Sequence, residues 1–159
     1  MLLSLTKQRR PIMQDVIQKQ LKIQANAEKV YAAIADPKQV VQWFPNSLEG
    51  DYTPGSQPLF GFGEHGKSRI YVVEARPHDY FAYRWVPGAN HYQGDVLSVP
   101  TTLVEFTIKA VAEGECELTL TESGFSQLPA EVMADAFKQN TNGWEFMLNR
   151  LTQMVETNT

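Results

Sequence analysis

The sequence predicts an α+β domain in which an antiparallel sheet of about seven strands curls around one long C-terminal helix, in the order β-α-α-β6-α. Three observations carry this reading. Short segments of alternating apolar residues, punctuated by Pro, Gly, Asn and Asp, fill the middle of the chain. They follow one another through short turns, which suits antiparallel neighbours. One long stripe of apolar residues at i, i+3 and i+4 spacing then closes the chain. A lone helix of that length must bury its stripe, and the sheet is the only large partner for it.

Each element has its own reason. "DVIQKQLKIQA" (15–25) alternates, imperfectly, as a strand does. "NAEKVYAAIAD" (26–36) reads as a helix, with Asn26 as its cap and Val30, Tyr31 and Ile34 at helical spacing. Pro37 stops it and opens a second short helix, "PKQVVQWF" (37–44), which Pro45 ends. Segments 47–54, 58–64, 67–76 and 79–86 read as strands separated by "TPG", "EHG" and "RPHD". "PGANHYQGDVLSVP" (87–100) is a long connection of the kind that is either functional or mobile. Tyr92, Val96 and Leu97 give it the apolar character that the mouth of a cavity would need. Two long strands, 102–112 and 115–124, follow across a turn at "EGE". Val104, Phe106, Ile108 and Ala110 share a face of the first, and Cys116, Leu118 and Leu120 share one of the second.

The last helix runs from about Pro129 to Val155, and its stripe includes Ala136, Trp144, Leu148 and Leu151. Gly143 interrupts it at a cost of about 1 kcal/mol relative to alanine. The expected compensation is packing: without a Cβ the helix approaches the sheet or a neighbour closely, and Trp144 fills the remaining space.

Composition narrows the function classes. A chain of 159 residues suits a single domain, expected at 14–157 after a flexible tail at 1–13. A net charge of −4 argues against nucleic acid as the partner, since phosphates want a basic face. The only basic cluster, Lys7, Arg9 and Arg10, falls in the tail. Cys116 is alone, so no disulfide forms within the chain, and a reducing compartment is expected. No run approaches the roughly 20 apolar residues of a membrane helix, and the opening stretch is too short for a signal-peptide core. The expected location is the cytoplasm.

Four stretches together resemble the Aha-like branch (activator of heat-shock ATPase homologue) of the START/birch-allergen, or SRPBCC, superfamily. They are "ANAEKVYAAIADPKQVVQWF" (25–44), "VVEARPHDYFAYRW" (72–85), "TLVEFTIKAVAEGECELTLTESGF" (102–125) and "NGWEFMLNRL" (142–151). The resemblance implies a helix-grip fold with a cavity between sheet and helix. It implies little about chemistry, because the superfamily includes co-chaperone domains, lipid and sterol binders and cyclases.

The leading expectation is a non-catalytic protein that holds a small hydrophobic or aromatic molecule in that cavity. Trp43, Phe60, Phe62, Trp85, Asn140 and Trp144 are the expected wall. Plain core packing is the competing role for the tryptophans, and satisfying the sheet backbone is the competing role for Asn140. Glu122 continues the parity of Cys116, Leu118 and Leu120 and would end the cavity with a carboxylate. The strand is instead expected to stop at Thr121, with Glu122 in a solvated turn. Arg84 is expected to face solvent.

No metal or cofactor is expected. His65, His78 and His91 stand 13 residues apart, which is not a ligand spacing, and no CxxC or HExxH occurs. "GFGEHG" (61–66) matches a dinucleotide pattern by letters but lacks a following helix. Cys116, on an apolar strand face, reads as a buried inert thiol. Two alternatives stand beside the binder. One is a cyclase- or hydrolase-like enzyme using Glu122 or a tyrosine as acid/base, although no nucleophile–base constellation is legible. The other is an interaction module for a chaperone or another protein. Oligomeric state is left open.

Overall fold

In the computed structural model, which describes residues 15–88 and 91–157, strand β1 (Val16–Ile23) leads into helix α1 (Ala27–Ala35). Asn26 caps α1, its side-chain oxygen accepting from the Lys29 backbone N–H at 2.8 Å. Asp36 serves two helices. Its own N–H donates to the Ala32 carbonyl at 2.9 Å, and its carboxylate accepts from the Lys38 N–H at 2.9 Å to start helix α2 (Pro37–Val40). The chain bends there, and Trp43 and Phe44 turn inward. Trp43 is then locked by its indole N–H, which donates to the Ala33 carbonyl at 2.8 Å.

The remaining strands are β2 (Ser47–Glu49), β3 (Leu59–Gly61), β4 (Lys67–Arg76), β5 (Tyr80–Trp85), β6 (Thr102–Ala112) and β7 (Glu115–Ser123). They form a seven-stranded sheet in the order β1-β7-β6-β5-β4-β3-β2, with antiparallel neighbours throughout. The first strand therefore pairs with the last, and α1 and α2 carry the chain from one edge of the sheet to the other.

The expected strands at 47–54 and 58–64 shrink to three residues each. Pro54 and Pro58 cannot donate, and Gly55 takes a positive φ of 91°, so no regular ladder forms between them. That segment ties itself to β4 by separate bonds instead. The Gly55 N–H donates to the Val72 carbonyl at 2.8 Å, and the Ile70 N–H donates to the Pro58 carbonyl at 3.0 Å.

The long helix α3 (Ala130–Thr157) lays Ala136, Trp144, Leu148, Leu151 and Val155 against the inner face of the sheet. The opposing face of β7 consists of Cys116, Leu118, Leu120 and Glu122, all with no solvent exposure. β7 thus runs on through Glu122, so that residue is not in a solvated turn. Burial also pushes the Cys116 thiol up from its ordinary value, as an unreactive thiol requires. The architecture is the helix grip that the resemblance implied. Among the described residues, no helix is long and apolar enough to cross a membrane. Lys7, Arg9, Arg10 and the expected tail lie outside them.

Candidate functional site

The chemistry of the interior centres on Glu122. Its carboxylate accepts from four side chains carried by three elements, β5, β6 and α3. Trp144 Nε1 donates at 2.7 Å and Trp85 Nε1 at 3.0 Å, to opposite oxygens. Thr102 Oγ1 donates at 2.6 Å, and Asn140 Nδ2 reaches both oxygens, at 2.9 and 3.0 Å. A buried carboxylate needs compensation. Here hydrogen-bond donors supply it, because among the described residues no ion pair involves Glu122. Each of these bonds has an ionised acceptor and belongs to the stronger class.

The tryptophans that satisfy Glu122 also build a surface. Trp85 and Trp144 lie with ring centroids 6.1 Å apart and planes 37° from parallel. Phe44 sits against both, at 5.9 and 5.1 Å, and also touches Trp43, Phe60 and Phe62. An open cleft of about 540 Å³ lies over this aromatic floor. On one side α3 lines it with Gln139, Asn140, Gly143, Trp144 and Met147. On the other stand Phe62, His65, Ser68 and His91.

Gly143 has a different role from the expected one. A Cβ built there would meet nothing within 4 Å, so the glycine brings the helix close neither to the sheet nor to another neighbour. It leaves open space, and that space belongs to the cleft.

The far wall is held firmly. Ser68 Oγ and His91 Nδ1 lie 2.9 Å apart, Phe62 lies beside the imidazole at 6.1 Å, and Gly66, with φ 107°, lets the ring pass close to its backbone. The described part of the 87–100 connection is pinned to β4: the Arg69 N–H donates to the Tyr92 carbonyl and Arg69 Nε to the Gln93 carbonyl, both at 2.8 Å. Val96, which is buried, anchors it further through its N–H to Gln57 Oε1 at 3.0 Å. Gln57 also donates to Asp95, and this bond, with the Leu97 N–H, lowers the Asp95 carboxyl below its usual range. Among the described residues one fully buried side-chain polar atom lacks a hydrogen-bond partner: the Tyr83 hydroxyl, enclosed by Phe60, Trp85 and Phe106. Burial pushes this phenol well above its ordinary range, with Tyr52 and Glu122 adding to the effect.

The expected wall residues divide into three groups. Phe62, Trp85, Asn140 and Trp144 line the cleft together. Trp43 and Phe60 do not. They lie behind Phe44 with at most 1% exposure and belong to the core. Glu122 lies beneath the cleft rather than on its surface, and Asn140 serves it rather than a backbone group of the sheet. Arg84 is half-buried, with Nη1 3.5 Å from Thr101 Oγ1. Sequence reasoning missed Phe44, Ser68, His91, Gln139 and Met147 as lining residues. The signal for Phe44 was present in "WFP", where the residue after a buried Trp is fixed by Pro45; Met147 stands on the apolar stripe of the last helix and His91 in the 87–100 connection, whereas Ser68 and Gln139 carry no signal. His78 stands apart from the cleft, edge-on to Tyr31, and among the described residues no cluster of three or more His, Cys, Asp or Glu could hold a metal ion.

The sequence profile of the family described as "Activator of Hsp90 ATPase homolog 1-like protein" matches residues 24–156. No curated protein matches the chain. Among solved structures, DynU16, described as a putative protein in the dynemicin biosynthetic locus, is 27% identical with a TM-score of 0.70. The match covers 91% of this chain but only 48% of DynU16, so this chain spans about half the length of that protein. MLL2253 from Mesorhizobium loti is 17% identical with a TM-score of 0.74, covering 91% of this chain and 98% of its own. Aha1 from Colwellia psychrerythraea, described as a dimer, is 20% identical with a TM-score of 0.69, covering 89% and 96%. The last two likenesses show the fold alone.

Proposed function

The chain belongs to the family of Activator of Hsp90 ATPase homolog 1-like proteins, and we propose that it is a non-catalytic binding protein holding a small, flat hydrophobic or aromatic molecule between the sheet and α3. One observation carries this reading: the cleft of about 540 Å³ is floored by indole rings whose N–H groups are all directed away from it, toward Glu122. The volume falls within the range of about 300–1,000 Å³ usual for small-molecule sites. A rigid aromatic floor orders little on binding, which favours affinity for flat ligands.

Catalysis is the weaker reading. Glu122 is engaged by four donors and lies below the cleft surface, so it is poorly placed to exchange protons with a ligand. Among the described residues, no carboxylate is hydrogen-bonded to the His91 ring, so the Ser68–His91 pair lacks the third group that orients a nucleophile's base. A protein-contact role is the second reading. It is supported by the description of Aha1 from Colwellia psychrerythraea, which is similar in fold, as a dimer. A cytoplasmic location accords with a buried, unpaired Cys116.

Native mass spectrometry of freshly purified protein, set against its denatured mass, tests these readings together. The binder reading predicts a retained 1:1 small-molecule adduct. A clean ligand-free mass, with no thermal shift across an aromatic and lipid library, would overturn it, and a dimer mass would turn attention to protein contacts.

A further inference from the structure

The polarity of the cleft narrows the ligand class. Asn140 lines the cleft, and its amide nitrogen donates to both oxygens of Glu122. A carboxylate only accepts, so the nitrogen must face it and the amide cannot be turned over. The carbonyl oxygen of Asn140 is consequently held away from Glu122, with no hydrogen-bonding partner among the described residues. The buried carboxylate thereby fixes a hydrogen-bond acceptor at the edge of an aromatic floor.

Charge acts in the same direction. Among the described residues, no lysine or arginine lines the cleft. The formal charge nearest its floor is the negative one on Glu122, which touches Trp85, Asn140 and Trp144 from below. A carboxylate or sulfonate ligand would be desolvated there with only the imidazoles of His65 and His91, and no lysine or arginine, to meet it, and would be repelled by Glu122 across low-dielectric packing. A neutral ring carrying a hydroxyl or N–H meets both conditions: its face stacks on the indoles and its donor reaches the acceptor.

Building on the reading of the cleft as a binding site, we propose that it selects neutral aromatic molecules bearing a hydrogen-bond donor, such as phenols, over both their donor-free analogues and aromatic acids, with Asn140 Oδ1 as the accepting atom. Glu122 is a positioning residue in this account. It fixes the amide and does not touch the ligand.

The test is calorimetric titration of the full chain with three probes of one ring system: 2-naphthol, 2-methoxynaphthalene and 2-naphthoate. The expected result is 2-naphthol binding about tenfold more tightly than the methyl ether, with the naphthoate weakest. Equal binding of naphthol and ether, or tightest binding of the acid, would overturn the inference while leaving the cleft a binding site. Binding by none of the three would overturn both. Asn140→Ala removes the carbonyl and leaves no side-chain acceptor in its place. The naphthol preference should vanish in it, and an unchanged preference would overturn the assignment to Asn140. Should that variant not fold, the comparison of probes on the unaltered chain still decides.

Discussion

Glu122 shows how one residue organises an interior. Four donors drawn from β5, the start of β6 and α3 converge on it, so removing its charge leaves them facing a worse acceptor. Glu122→Gln keeps the shape and places an amide N–H₂ among groups that all donate. The expected loss is about 2–4 kcal/mol, from one or two donors left unsatisfied in the core. Urea unfolding measures it, with Glu117→Gln on the outer face of β7 as a control expected within about 0.5 kcal/mol. A loss below about 1 kcal/mol at Glu122 would contradict the role assigned here. The parity of β7 pointed Glu122 inward correctly. Its burial was not legible, because the partners that offset the cost stand 18 to 37 residues away. Gly143 was misread for a related reason. A glycine on an apolar stripe marks either close contact or open space, and only the surroundings distinguish them.

At the scale of elements, the type of structure was legible wherever periodicity or capping was strong. The Asn26 cap, the Pro37 start, the long strands β4, β6 and β7 and the span of α3 all follow from local chemistry. β2 and β3 were overextended because residues 50–58 bond to β4 outside a regular ladder, an arrangement with no periodic signature. The most consequential joint is Asp36. It ends α1, starts α2 and so sets the direction from which Trp43 and Phe44 enter. Asp36→Ala should cost about 1 kcal/mol, the usual value of a lost cap. Because Phe44 contacts both Trp85 and Trp144, the same variant should also broaden the indole N–H resonances of Trp85 and Trp144. Unaltered stability and spectra would show that the junction is held by packing alone.

At the scale of the whole molecule, the core holds phenols that resist ionisation. Tyr52 donates to the Ile34 carbonyl at 2.9 Å, and the Tyr83 hydroxyl has no hydrogen-bond partner among the described residues. Burial is the first cause raising both well above the ordinary tyrosine value. With folded values above unfolded ones, their contribution to stability is full below about pH 10 and is lost as pH rises beyond it. The urea midpoint should therefore fall between pH 8.5 and pH 11, with the change concentrated above pH 10. A flat profile would mean that these phenols ionise in place. The sheet order and the grip on α3 follow from this same apolar interior. The cleft over it is what remains where α3, at Gly143, declines to fill the space.

That space is the central claim, and filling it is the most direct test. Gly143→Leu projects a side chain into the cleft, where a Cβ meets nothing within 4 Å, and it replaces glycine with a better helix former. The measurement is the fluorescence of N-phenyl-1-naphthylamine titrated into the unaltered protein and into the variant. The account predicts saturable 1:1 enhancement for the former, at least tenfold weaker binding for Gly143→Leu, and a melting temperature in the variant that is equal or higher. Equal binding by both proteins would place the ligand elsewhere and contradict the account.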